Sequence, residues 1–305
     1  MESWWGPLAA FGSSVTWTLG AARYAVLSSS YSAAAINTSR ALVALAFLVP
    51  ALVWVSGGVP SASAELWSVS AASWGYFTIS AVASLALGDV VFFGAMRRLG
   101  VPTAMAIASG YPVWSALVGV LFYGESLVPA AVAGLAMVVV GVALVILRAP
   151  LTAGAHDGRL RTERGVGIAF AFATSFFWAL NTWAVSRGSI GVSPVTGNVA
   201  RMSLALVLCP TIAFFARGPR RAVALSSRDL KKSFPAFFLE GVCGTLFFYY
   251  GLRHSPLAVA ATLSSLSPAL SYGLGLATRR ERFDFLRSLG IFLVIIGLAA
   301  LLGFG

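Results

Sequence analysis

The sequence predicts an all-α integral membrane protein with ten transmembrane helices, arranged as two inverted five-helix repeats. Three observations predict it. The chain is 58% hydrophobic and 10% charged, where a soluble domain is usually about a quarter charged. Apolar runs of roughly 18 or more residues, each able to cross a ~30 Å hydrocarbon core, recur along the whole length. And the stretch from Gly88 to Ile146 occurs twice at a constant separation of 156. Gly88 matches Gly244, Phe92 matches Phe248, Arg97 matches Arg253, Pro112 matches Pro268, Glu125 matches Glu281, and Gly134 and Gly141 match Gly290 and Gly297. Such a gap-free offset at Gly, Pro, Arg and Glu marks an internal repeat.

Ten spans are expected, at roughly 6–27, 34–55, 73–95, 101–123, 128–148, 165–186, 194–216, 234–251, 256–278 and 284–304. Helices are the only fit, because lipid offers no water to backbone groups and a barrel would alternate polar with apolar residues. The N-terminal run lacks an early Lys or Arg, so it is expected to be a permanent span rather than a leader. Upstream, the repeat continues at an offset of 161: Gly6 to Gly167, Ser14 to Ser175, Trp17 to Trp178, Asn37 to Asn198 and Arg40 to Arg201. The five extra residues of the first copy are assigned to the loop Ser56–Ser70. An odd number of spans per copy inverts the second copy relative to the first, and such architectures place a substrate site at the repeat interface. The expected units are residues 1–148, a cytoplasmic linker 149–164, and 165–305.

The net charge of +11 does not point to nucleic acid, because the basic residues sit in short loops. Loops after odd-numbered spans hold sixteen Lys and Arg, and those after even-numbered spans hold two, Arg187 and Arg253. The positive-inside rule then puts odd loops in the cytoplasm and both termini outside. Cys209 and Cys243 lie in apolar segments and read as packing residues. No zinc motif or phosphate-cradling loop appears, so no enzyme activity, metal or cofactor is expected.

Within the spans, four groups are candidates for function. Pro112 and Pro268 fall mid-span, where proline frees the carbonyl four residues back, here Ala108 and Ser264, beside Ser109, Tyr111, Ser265 and Ser267. Trp17 and Trp178 lie halfway along the first and sixth spans and, with Trp114 and Asn181, suggest a cavity lined by aromatic and polar groups; the bland alternative is packing and helix-to-helix hydrogen bonding. Arg40 and Arg201 are matched intramembrane charges, functional candidates by default, unless they simply snorkel. Asp89 and Glu240 are the acids well inside spans. In a linear alignment their counterparts are Thr245 and Ser84. Burial favours a neutral carboxylate and an adjacent cation a charged one, so an acid moving between such surroundings would couple proton to solute; a static pair with Arg40 is the alternative. Glu125 and Glu281 read as caps of the fifth and tenth helices.

The repeated segment resembles the EamA-type family of the drug/metabolite transporter superfamily. The matching residues are Pro112, Gly124-Glu125-Ser126-Leu127 and Gly134 to Gly141, then Pro268, Arg280-Glu281-Arg282-Phe283 and Gly290 to Gly297. Arg280 departs from the expected glycine. The resemblance implies ten helices and alternating-access transport of small metabolites such as amino acids. It also implies cytoplasmic termini, against the loop charge, which is followed here. The expected partners are a small-molecule substrate and membrane lipid, with no nucleic acid and a homodimer left open; the expected location is a prokaryotic cytoplasmic membrane. Translocation of a lipid-linked substrate and a non-transporting sensor or structural role are the rivals.

Overall fold

A computed structural model describes residues 4–111, 113–114, 117, 128–148, 158–217, 223–254, 263 and 266–303. Among them there are helices and no strand. In the first copy they are α1 (Trp5–Leu27), α2 (Ala33–Val55), α3 (Val59–Ser68), α4 (Ala71–Ala81), a π-helical stretch π1 (Val82–Gly88), α5 (Asp89–Leu99), α6 (Val101–Ala108) and α7 (Pro129–Arg148). The second copy holds α8 (Gly158–Gly188), α9 (Pro194–Arg217), α10 (Ser227–Phe238), π2 (Leu239–Gly244), α11 (Thr245–His254), α12 (Ser267–Ala277) and α13 (Phe285–Gly303). Among the described residues, five helical stretches are long and apolar enough to cross a membrane by themselves: Ala33–Val55, Ala71–Leu99, Pro129–Arg148, Thr162–Val185 and Pro194–Phe215. Large apolar side chains face outward in mid-helix, including Val139, Val207 and Phe292, as a lipid-facing surface requires.

Local chemistry sets the helix ends. Ser32, Ser70 and Ser226 cap α2, α4 and α10 by accepting from the N–H groups of Ala35, Ser73 and Asp229, the usual role of a hydroxyl at a helix start. Gly100, at φ +79°, lets α5 turn directly into α6, a conformation that side-chain-bearing residues avoid. The loop Ser56–Ser70 is not a plain loop. Gly57 and Gly58 turn the chain at positive φ, Pro60 starts α3, and Glu65 accepts from the hydroxyls of Ser56 (2.7 Å) and Thr196. Similarly, α8 begins at Gly158, inside the expected linker.

The two copies pack like with like. α2 lies on α9, α6 on α12 and α7 on α13, while α1 packs on α11 and π2 as α8 packs on α5 and π1. At the α7–α13 crossing a Cβ on Gly141 would stand 2.8 Å from the backbone nitrogen of Val294, and one on Gly297 would stand 2.8 Å from that of Val138. Gly141 therefore meets the turn from Gly290 to Val294, and Gly297 the turn from Gly134 to Val138. Ascending one helix descends the other, so equivalent helices are antiparallel about a two-fold. Both π stretches end on matched glycines, Gly88 and Gly244. Both broken spans are interrupted at matched places: α6 ends before Ser109 and Gly110, and α12 starts at Ser267, one residue before Pro268. Pro268 is thus near a helix start rather than at a kink inside a continuous helix. Pro112 lies outside the described residues.

Candidate functional site

Near the middle of the bundle, α1, α2, α5 and π2 converge on one guanidinium. Arg40 is 3% exposed. Its Nη2 donates to Asp89 Oδ2 at 3.0 Å and its Nη1 to Glu240 Oε2 at 3.2 Å. The Tyr24 hydroxyl donates to the same Glu240 oxygen at 2.7 Å, and Arg40 Cζ stands 5.6 Å from the Tyr24 ring centroid. Asn37, one turn before Arg40, donates to the Leu85 carbonyl at 2.6 Å. That carbonyl belongs to π1, where the wider turn turns backbone oxygens away from the regular ladder, a feature common at functional sites. Gly20 is required here, because its Cβ would stand 2.9 Å from Glu240 Cβ. Arg40 Nε and Asn37 Oδ1 are buried with no partner among the described residues. If both acids are ionised, the three charged groups sum to one negative charge in a place nearly closed to water.

The matched arginine is built differently. Arg201 Nε donates to Ser80 Oγ at 2.9 Å and Nη2 to Asn181 Oδ1 at 3.1 Å. Ser80 donates its own hydroxyl to the same Asn181 oxygen at 2.7 Å. Gly20 and Asn181 are repeat mates, so Ser80 holds in space the place that Glu240 holds in the other copy. A linear alignment pairs Glu240 with Ser84, one turn further along; Ser80 reaches Arg201 from the turn before.

Trp17 and Trp178 meet at the centre, edge to face with ring centroids 5.5 Å apart, and both pack on Phe92. The neighbouring hydroxyls do not face one another. Those of Ser14, Thr16, Thr18, Thr174 and Thr182 bond to carbonyls of their own helices. Trp114 stands apart from this pair. It donates to Ser175 at 2.7 Å and lines a half-open apolar cleft of about 160 Å³ with Ile107, Val113, Leu117, Val139 and Phe172. Ser109 is buried and Tyr111 half-buried beside the break after α6. Ser267 reaches α1, donating to the Ser14 carbonyl and accepting from Thr18, both at 3.4 Å. Ser265 lies outside the described residues, as does Glu125.

Sequence reasoning missed Arg287, counted among loop charges. It is 1% exposed, pairs with Glu281 at 2.6 Å, donates to Thr103 at 2.9 Å and lies over the Tyr272 ring. Glu281 therefore is not the cap of α13; Asp284 is, accepting from the Arg287 N–H at 2.8 Å. Spacing gave no signal, because residues six apart lie on different faces of a helix. A bend in the chain brings them together instead.

Comparisons with known proteins agree with this architecture. A family model described as the EamA-like transporter family matches residues 4–147 and again 165–303. A protein named an uncharacterized transporter, from Archaeoglobus fulgidus, is 26% identical over 226 residues, which is 73% of this chain and 74% of that protein. A crystal structure of a protein 19% identical superposes with a TM-score of 0.62, covering 97% of this chain and 96% of the other, a likeness of fold alone. The two matched segments take in nearly every described helix, and the helices carry an apolar outer surface over a two-fold core. This chain is a multi-pass membrane protein that belongs to the EamA-like transporter family.

Proposed function

We propose that the protein is a secondary transporter or facilitator of small organic solutes, such as amino acids, amines or related metabolites. It works by alternating access to a cavity between residues 1–148 and 165–305. The observation that carries this reading is the antiparallel pairing of equivalent helices, with matched breaks in α6 and α12 and matched π turns at Gly88 and Gly244. Inverted halves with interrupted helices at their interface let the same contacts open one face or the other. In the described conformation Trp17, Trp178 and Phe92 close the centre. Parting the two indoles would open an aromatic pocket with Ser109, Tyr111, Asn181 and Ser267 as polar neighbours.

Arg40, Asp89 and Glu240 supply the coupling. One proton balances their summed charge, and a carboxylate released from Arg40 as the halves move would gain or lose it. Even without the buried Arg287, fifteen basic residues in odd loops against two in even loops support a cytoplasmic side for the odd loops in a prokaryotic membrane. The test is solute counterflow in liposomes, with a panel of amino acids, amines, nucleosides and sugar phosphates, with and without a pH gradient. Saturable counterflow is expected, and its stimulation by the gradient is expected to vanish in Asp89→Asn or Glu240→Gln. A melting midpoint that rises only with lipids, together with no counterflow, would sink the proposal.

One observation favours a second reading. The cleft beside Trp114 is apolar and half-open, which suits a lipid tail and hence a lipid-linked substrate.

A further inference from the structure

The two copies differ in charge at their most closely matched buried site. Arg40 has two carboxylates within 3.2 Å. Arg201 is 8% exposed, and among the described residues no carboxylate forms an ion pair with it. Both acids of the first site are replaced: Thr245 stands at the counterpart of Asp89 and Ser84 at that of Glu240, and Ser80 supplies the contact to the guanidinium. A guanidinium buried among neutral groups is costly, and removing the anion of a buried pair is strongly destabilising. An intramembrane cation left in that condition is retained at a cost to stability.

The geometry shows what is left for a ligand. Ser80 and Asn181 occupy one edge of the guanidinium, through Nε and Nη2. No acceptor among the described residues meets Nη1. The free edge, Nη1 with the second hydrogen of Nη2, presents two parallel donors, the fork that matches a carboxylate. One cation balances one negative charge, so a carboxylate fits better than a phosphate dianion.

A route to this edge is laid out by helix register. A polar recess of about 140 Å³ lies between the α3–α4 and α8–α9 connections, lined by Glu65, Ser70, Ser73, Ser193 and Thr196; the Glu65 carboxylate is held by the hydroxyls of Ser56 and Thr196. One turn deeper is Phe77, fully buried, whose ring passes Gly188 and Gly197 so closely that Cβ atoms there would stand 3.0 and 3.3 Å away. One further turn along the same helices come Ser80 and Arg201. Phe77 is therefore the plug between the recess and the unbalanced cation.

We infer that Arg201, held by Ser80 and Asn181, is the binding subsite for the carboxylate of a small organic acid or zwitterion, and that Arg40 is not. This deepens the transporter reading and rests on it for the ligand being cargo. The test compares wild type, Arg201→Met and Arg40→Met as purified protein. The first readout needs no ligand. Arg201→Met is expected to melt at or above the wild-type temperature, and Arg40→Met, which strands two acids, well below it. The second uses paired probes, phenylalanine against phenylalaninamide and leucine against leucinamide, at millimolar concentration. The acid is expected to stabilise the wild type at concentrations roughly tenfold or more below its amide, and the preference is expected to disappear in Arg201→Met and persist in Arg201→Lys.

Melting of Arg201→Met as low as Arg40→Met would make Arg201 a structural tie and overturn the inference. So would the lack of any acid-specific shift in the wild type, or its survival in Arg201→Met. Counterflow of a carboxylate-bearing solute that is untouched by Arg201→Met would overturn the subsite while leaving the transporter reading intact. Acid-specific binding through Arg201 without counterflow would do the reverse.

Discussion

Replacing either Gly141 or Gly297 with alanine forces apart the α7–α13 crossing, and the expected cost can be worked from the contacts. The added Cβ of Gly141→Ala would lie 2.8 Å from the Val294 nitrogen and that of Gly297→Ala 2.8 Å from the Val138 nitrogen, with carbonyl oxygens of Gly290 and Gly134 closer still. Each obstacle is backbone, so no side chain can turn away. The helices must separate by most of an ångström, and neighbours such as Val138, Val145 and Val294, buried at this seam, lose their closest contacts. Overpacking of this kind costs about 1–3 kcal/mol per site. The sites are symmetry-related, so the two costs are expected to agree within about 1 kcal/mol. One separation relieves both clashes, so the double variant is expected to cost less than the sum. Gly75 and Gly273 are internal controls, because a Cβ there meets nothing within 4 Å, and alanine at either is expected to be neutral or stabilising by up to about 1 kcal/mol. The assay is equilibrium unfolding of the purified protein in detergent. Neutral Gly141→Ala, or a cost at one glycine without the other, would refute the two-fold backbone contact.

Other expectations follow from the same packing. Arg40→Met is expected to cost about 3–5 kcal/mol by stranding Asp89 and Glu240, and adding Asp89→Asn and Glu240→Gln to it is expected to restore part of that, read by the same unfolding assay. Arg287→Met should likewise lower the unfolding midpoint, because it leaves Glu281 unpaired beneath α12; Glu281→Gln in that background should recover some of the loss. At the α3 tie, hydrogen bonds from Thr196 and Ser56 hold Glu65 below the usual glutamate range. The folded value is depressed, so its stabilising contribution is full above the unfolded value of about 4.3 and is lost as pH falls through the folded value. Hydrogen exchange in residues 59–68 is therefore expected to be slow near neutrality and to quicken below about pH 4 relative to neighbouring α2. In Glu65→Gln that acceleration should be absent. Ser226→Ala, removing the cap of α10, should cost about 1 kcal/mol.

Much of the fold was legible because membranes leave few options. The constant offset between Gly88 and Gly244 exposed the repeat, and the apolar runs admitted only helices. Matched glycines at 134, 141, 290 and 297 were recognisable as close-packing positions, although which glycine meets which depends on helix direction. Arg40 finding Asp89 and Glu240 was foreseeable too, since a buried charge needs a partner and few were on offer. Three features were not legible. Helix α3 is ten residues long with a mixed composition, too short to announce itself against its loop. The π stretches have no clear residue signature, and the alignment pointed to Ser84 where Ser80, one turn earlier, meets Asn181. Arg287 looked like one more loop charge, because nothing local says that the chain bends back over Tyr272. Trp114 was grouped with Trp17 and Trp178 by residue type, yet the break after α6 sends it to the outer cleft.

The central claim is that the closed seam between the two repeats opens to each side of the membrane in turn. Ser14, 1% exposed and bonded to Ser267 across that seam, reports on it most directly. Ser14→Cys, in a background with Cys209 and Cys243 replaced by alanine, would be treated with a membrane-impermeant thiol reagent in right-side-out and in inside-out vesicles. Labelling is expected from both faces, each slowed by a solute that supports counterflow. Labelling from neither face, or from one face alone, would contradict it.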